Sequence, residues 1–545
     1  MQRERVLEEH HRLLETLDRP AEAQQRLLTR MVDQHADTAF ATAHGLGAVR
    51  TLDDLRKAVP IRTHEELMPW IDRIMDGEPN VLTPDAPLAY FSSSGSTGRE
   101  KHIPATPSYL KQTYLPFYHA AFAPLLLTIG DQVLTGPGSV LNLWQDPTAP
   151  AARSRDGRPH IGVSQLDYRK LGEDSAIGQG NEAPWSRIPE DLAAANPWDR
   201  AYFKLRLAAE QNIRLLIGIN PAMVAGLPYQ LRQMWPRIAE EIRAGTLDGR
   251  PHTAPNPERA AEIEQYAKAF GTLHPHHLWP RLRAILVWNS ALASLYLPRV
   301  RETYGPGVQL FPAPIASCEG PAAVPVDRHP GAPPYLPGCV YEFAPADAPV
   351  TADSATLPVT ELDEGADYHL VFSHPGGLYR CAVTDVVRVV GRIGRAPRLE
   401  YAGRNTLRSA AGEHLTEAAA LRALDAACHD TGAEIRNAAF RIDPKAPPER
   451  AHYQAAIAFA GPVAPALAAA LDARLAQECP GYGTARRNGR IAPVEVLPVH
   501  PDAFLREWER AIRAGQRPPR VKDRVFPSDP AAWARIVGPT AGRPA

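Results

Sequence analysis

The sequence predicts an α/β protein: a large N-terminal unit of β-sheets flanked by helices, followed by a small α+β C-terminal unit. Three observations carry this. Long helical patterns alternate with short apolar runs over the first 400 residues, the composition changes after about Arg404, and an α-β-β-α-β order follows the change. A chain of 545 residues with 44% hydrophobic side chains is long enough to build both cores.

Taken in order, Val6, Leu13, Leu14, Leu17, Leu27, Leu28 and Met31 recur at near-helical spacing and predict one or two amphipathic helices in the first 35 residues. Ser108 to Leu127 and Ala222 to Gly245 read as further helices, and Pro280 to Ser290 as a buried strand ending in a turn. Between 280 and 400 the runs VQLFPAPIAS, VYEFAPA, YHLVFSH and VVRVVGRI read as strands. Residues 146–200 and 321–337, rich in Pro, Gly and Asp, read as long surface loops or lids. Beyond Arg404, Leu415 to Gly432 is an Ala/Leu helix stopped by glycine; strands AAFRID and HYQAAIAFA, helix APALAAALDARLAQE and strand IAPVEVLPV follow. The boundary falls in GRNTLRSAAGE, giving units 1–403 and 413–545 joined by a hinge at 404–412.

Composition excludes several classes. With 60 Lys+Arg against 61 Asp+Glu, affinity built on phosphate neutralisation is not expected, so no nucleic-acid partner is predicted. No run approaches the roughly 18 to 20 apolar residues that span a bilayer, and the charged N-terminus is unlike a secretory signal, so a cytoplasmic protein without a membrane partner is predicted. Five scattered cysteines without a CxxC pair argue against disulfides and zinc. An Ala/Arg/Pro-rich composition points to GC-rich coding and a bacterial source. Only eight residues are lysines, so any chemistry that needs an ammonium has few candidates. The oligomeric state is not legible.

The segment Tyr90 to Pro104 carries the most chemistry. An apparent strand runs into Ser93-Ser94-Gly95-Ser96-Thr97-Gly98, with Lys101 shortly after. Glycines let backbone N–H groups wrap an anion, hydroxyls add donors, and a lysine supplies charge, which together make a phosphate-binding loop or, more plainly, a Ser/Gly turn. A Walker A loop is excluded, because Gly95 and Gly98 are too close and His102 follows the lysine.

SSGSTGREK resembles the [ST]SG[ST]TGxxK loop of the adenylate-forming superfamily. His44 to Gly98, with its HG pair, VPI tripeptide and PWIDRIMDGE run, resembles more narrowly the entry region of the GH3 family of acyl-acid amido synthetases. Blocks at Leu278 to Tyr296, Phe311 to Gly320, Tyr341 to Phe343 and Gly377 to Arg404 keep that family's order over most of the chain. The resemblance implies an adenylate-forming N-terminal domain and an ATP- and Mg²⁺-dependent ligase. Such an enzyme activates a small carboxylic acid as an acyl-adenylate, releases pyrophosphate, and passes the acyl group to an amine, an amino acid in the family. It implies a nucleotide site at Ser93, Ser94, Gly95, Ser96, Thr97, Gly98, Ser317, Cys318, Glu319, Tyr379, Asp385 and Arg404. Glu319 would take the metal, Asp385 the ribose hydroxyls, and Arg404 ribose or phosphate. Lys101 would carry catalytic charge, and an acyl pocket would form at Tyr114, Phe117, Tyr118, Trp288, Asn289 and Ser290.

One departure matters. The family's C-terminal GQ[YF]K-x-PR appears here as Gly515-Gln516-Arg517-Pro518-Pro519-Arg520-Val521-Lys522, so either Arg517 or Lys522 supplies the missing lysine's charge, and arginine is a different donor. Two other readings stay open: an acyl-CoA ligase or related enzyme with another nucleophile, and a catalytically silent protein that binds a small acid.

Overall fold

Four parallel strands, neighbouring in the order Val140–Asn142, Leu215–Ile219, Ala284–Val287 and Gln309–Pro312, form the centre of the N-terminal part. The structure is a computed structural model and describes residues 3–94, 100–134, 136, 138–146, 151–166, 183–193, 195–404, 406–447 and 450–538. The two inner strands are buried along their whole length, as parallel strands covered on both faces must be. Their period of two divides them between two cores. Leu216, Ile285 and Val287 pack with Val224 and Leu227 of the Pro221–Ala244 helix, while Leu215, Ile217 and Leu286 face Phe117 and Phe372 in the main core.

A second sheet pairs Ala89–Ser94 antiparallel with Glu100–Ala105 and parallel with Pro159–Ile161. A third, antiparallel sheet runs Leu357–Pro358, Val340–Pro345, Asp367–Ser373, Cys381–Ile393 and Ala396–Arg404. The first 35 residues form the expected helices, Arg3–Leu17 and Pro20–His35, which bury the predicted apolar faces. The 321–337 segment departs from expectation. It is not a surface loop: Ala322, Ala323, Val324, Tyr335 and Leu336 are core residues, and the Gln24 amide donates to the carbonyls of Leu336 and Cys339. Its prolines remove backbone donors that burial would otherwise leave to be satisfied, so an irregular segment is tolerated inside. The 146–200 stretch likewise contains, where described, short strands and the Pro197–Ala208 helix.

The C-terminal pattern forms as predicted. Helix Glu417–Thr431 starts at Thr416, whose hydroxyl accepts from Ala419 N at 3.1 Å, and stops at Gly432 with φ of 65°. Strands Ile435–Ile442 and Tyr453–Phe459 pair antiparallel, and Glu495–Val499 joins Tyr453–Phe459 in parallel after the Leu467–Glu478 helix. The next helix, Ala503–Arg513, leaves this small sheet: Leu505, Trp508 and Ile512 bury in the core beside the parallel strands. A methyl group on Gly226 would stand 2.8 Å from the Trp508 ring, so glycine permits this contact. The docking carries residues 514–524 across the N-terminal sheets. Among the described residues, no helix is long and apolar enough to cross a membrane.

Candidate active site

Residues 514–524 close over a cavity of about 750 Å³, lined by side chains from many separate stretches of the chain. On one wall stands Lys101, opposite Ser93 in the hairpin register, whose ammonium donates to Glu319 Oε1 at 2.5 Å. Burial works against both charges, yet the pair outweighs it. Lys101 is held above the usual lysine range and Glu319 below the usual carboxylate range.

Glu319 sits on a turn between strands Ile315–Ala316 and Pro321–Ala323, and His374 fixes that turn. Gly376 N donates to His374 Nδ1 at 3.0 Å, so the proton lies on Nε2, which donates to the Glu319 carbonyl at 2.8 Å. Burial lowers the imidazole to about 4, keeping it neutral in this role. His374 lies outside the motifs used to predict the site; only its place after the YHLVFS strand hinted at it.

On the opposite wall Asp385 pairs in strand register with Arg404. Burial pushes the Asp385 carboxyl up, and Arg404 offsets only part of that. Lys522 comes between these strands and Trp288, with its Nζ 4.6 Å from the indole centroid. Its neighbours explain why it is there. Arg520 donates to Ser92 O at 2.9 Å and Oγ at 2.8 Å, Asn220 donates to Val521 O at 2.9 Å, and Asp523 accepts from Tyr296 and Asn437. With residues on both sides anchored, Lys522 is directed into the cavity. It has accessible surface there but protein on all sides, and this enclosure, with Arg404 near, lowers its ammonium to about 8.

Ser317 and Cys318 also line the cavity, as do Tyr118 and Trp288, whose indole N–H is tied to Pro314 O at 3.0 Å. Ser290 lines an adjoining cavity of about 130 Å³ that shares Asp385, Arg404 and Lys522. Four expected positions are elsewhere. Tyr114 and Phe117 are core residues: Phe117 is fully buried against Tyr335, and of this helical group only Tyr118 turns towards the cavity. Tyr379 is buried too, its hydroxyl donating to Met31 O and meeting His35 Nδ1, because the strand before Asp385 passes beneath the N-terminal helices. Asn289 is exposed and lines neither cavity. Arg380 is structural, its guanidinium bound at 2.8 and 3.1 Å by buried Glu342. Ser93 and Ser94 end the Ala89–Ser94 strand, their side chains outside the description, and Gly95, Ser96, Thr97 and Gly98 lie outside the described residues.

Arg517 and Lys522 are separated in place. Arg517 packs against Gly162, where a methyl group would stand 2.6 Å from its Nη2, whereas Lys522 stands with Asp385 and Arg404. Glu100, His102 and His160 also bring potential ligand atoms within 4.8 Å of one another, but Arg520 holds Glu100 at 3.2 Å.

Comparison with protein families decides the kinship. The GH3 family N-terminal domain matches residues 9–310, the central domain 335–404 and the C-terminal domain 418–525. The chain belongs to the GH3 family. Among GH3 relatives, a probable indole-3-acetic acid-amido synthetase GH3.12 of Oryza sativa subsp. japonica is 25% identical over 438 residues, 71% of this chain and 69% of that protein. The jasmonoyl-L-amino acid synthetase JAR6 of Nicotiana attenuata is 24% identical over 433 residues, 74% of this chain and 72% of its own length. The solved GH3.15 acyl acid amido synthetase shares the fold, with a TM-score of 0.76 at 21% identity over 96% of this chain and 94% of that one. Its α/β sheets flanked by helices are thus a GH3 architecture.

Proposed function

We propose that this GH3 protein is an ATP-dependent, AMP-forming ligase that joins a small carboxylic acid to an amine, specifically an amino acid, through an acyl-adenylate. The observation that carries this reading is the convergence of Lys101, Glu319, Asp385, Arg404 and Lys522 on one cavity. The curated relatives named above are amido synthetases of indole-3-acetic acid and a jasmonoyl-amino acid synthetase, which supports the same class of acid and acceptor.

In the first step a carboxylate oxygen attacks the α-phosphorus of ATP, the bond to the β-phosphate breaks, and pyrophosphate leaves. In the second the amine nitrogen attacks the acyl carbon, the bond to AMP breaks, and the nitrogen loses a proton. The protein's work is positioning and charge neutralisation. The Ser93–Gly98 loop and Lys101 hold the β- and γ-phosphates, and Asp385 accepts from the ribose hydroxyls. Arg404 and Lys522 neutralise the α-phosphate. Glu319 fits a hard divalent cation, being a buried carboxylate at the cavity wall whose ion-pair partner, Lys101, is exchangeable. Mg²⁺ held there neutralises phosphate charge. Tyr118 and Trp288 face the acid, with Ser317, Cys318 and Ser290 completing the walls.

Residues 1–403 and 413–545 act as two domains, with 404–412 the hinge that lets the smaller one re-pose between the steps. A bacterial, cytoplasmic enzyme is the setting that composition supports.

Mass spectrometry tests the acceptor. Incubated with ATP, Mg²⁺, a panel of carboxylic acids and the twenty amino acids, the protein should yield an amide with AMP and pyrophosphate. A thioester formed with CoA in preference to any amide would overturn the amine assignment.

A further inference from the structure

Beside the main cavity lies a smaller one of about 90 Å³, and the two share Arg517, Trp144 and Trp508 in their walls. Among the described residues its charges are unbalanced: Arg200, Lys204 and Arg517 face one carboxylate, Asp146. Arg200 is committed to Asp146, with its Nε donating to Oδ2 at 3.0 Å, and Lys204 donates to the carbonyls of Asn142 and Gln145 at 3.0 and 2.7 Å. Arg517 has no such partner. Its Nη1 is buried and makes no hydrogen bond among the described residues, while Glu100, the other nearby carboxylate, is held by Arg520. A buried guanidinium donor left unpaired is costly, and the natural remedy is an anion from outside.

Resting on the ligase reading, we infer that Arg517 is the anchor for the α-carboxylate of the amino-acid acceptor, and that the small cavity takes the acceptor's side chain. Of the anions that enter this site, the α-phosphate stays ionised but is assigned to Arg404 and Lys522, and the acceptor's carboxylate is the other that remains ionised from binding to product. The acid's carboxylate is consumed in the adenylate, and pyrophosphate leaves before the amine reacts. A fixed cation away from Asp385 and Arg404 suits that persistent charge, and Trp144, Trp185 and Met223 supply apolar walls for a small side chain. The position held by a lysine in the family pattern is therefore used here for acceptor recognition, and Lys522 is left to the phosphate.

The test uses the full chain, an acid that supports pyrophosphate exchange, the best of the twenty amino acids, and the α-carboxamide of that amino acid. In Arg517→Gln the KM for the amino acid should rise roughly tenfold to a hundredfold, the scale of a lost charged hydrogen bond. The carboxamide, with no charge to lose, should change far less, so the preference for the free acid collapses. Arg517→Lys should recover part of that preference. Gly162→Ala, which pushes the guanidinium aside while keeping it in the chain, should shift KM in the same direction as Arg517→Gln. An unchanged acid-to-carboxamide preference in both Arg517→Gln and Gly162→Ala would overturn the inference, as would a loss confined to pyrophosphate exchange, which would assign the guanidinium to phosphate. Absence of exchange by the wild-type protein with every acid would instead sink the ligase reading itself.

Discussion

Glu319→Gln should lower acid-dependent ATP–pyrophosphate exchange about 10²-fold or more, the range reached when one preorganised electrostatic contact is lost. The substitution keeps size and removes charge. Two consequences follow from the 2.5 Å pair with Lys101. In the proposed reading the metal would lose its carboxylate ligand, so the Mg²⁺ concentration for half-maximal exchange should rise. Lys101 also loses the charge that holds its ammonium above the usual range while burial pulls it down, so its hold on phosphate weakens at high pH. Titrating Mg²⁺ against exchange rate in the variant checks the first, and the pH profile of exchange checks the second. Wild-type exchange at wild-type Mg²⁺ would remove Glu319 from the site.

Lys522→Ala should bring a loss of similar scale, about 10²-fold, if its ammonium meets the α-phosphate as charge develops there. Here pH supplies a second reading. Enclosure by the cavity walls, with Arg404 nearby, lowers Lys522 to about 8, so the free enzyme carries the ammonium below that pH and loses it above. The wild-type kcat/KM for ATP should therefore fall as pH rises through about 8, since kcat/KM reports groups of the free enzyme. In Lys522→Arg the guanidinium stays charged, and this alkaline fall should disappear even though the altered geometry lowers the plateau. A Lys522→Ala protein with full activity would return the family lysine's role to another residue, Arg517 being the first to examine.

Much of the fold was legible in sequence because its signals are local. Helical periodicity marked Arg3–Leu17 and Pro221–Ala244, glycine marked the end of Glu417–Thr431, and the α-β-β-α-β order formed with one further helix, Pro480–Arg487, before the last strand. The 321–337 segment failed because Pro and Gly were weighed above the apolar Val324, Tyr335 and Leu336 that sink it into the core. The Ala503–Arg513 helix was not read from the sequence; its stripe of Leu505, Trp508 and Ile512 covers the helix around Gly226.

The site divides in the same way. Lys101, Glu319, Asp385 and Arg404 stood out because motif order carries information that no single residue does, and the structure brings all four to one cavity. Phe117 and Tyr379 were chosen by proximity to motifs, and one position along a helix or strand is enough to turn a ring from a cavity into the core. Arg520 and His374 were missed because their work is done through long-range contacts: Arg520 clamps Ser92, and His374 holds the turn of Glu319. The choice between Arg517 and Lys522 depended on which side chain the anchored 520–523 segment sends between Trp288 and Asp385.

The most direct measurement of the central claim is ATP–pyrophosphate exchange by the purified full chain with Mg²⁺ across a broad panel of carboxylic acids. Exchange that requires one class of acid and yields a hydroxamate when hydroxylamine is added is the predicted result. No exchange with any acid, alongside saturable binding of one of them, would contradict it and leave a small-acid binding protein on a GH3 fold.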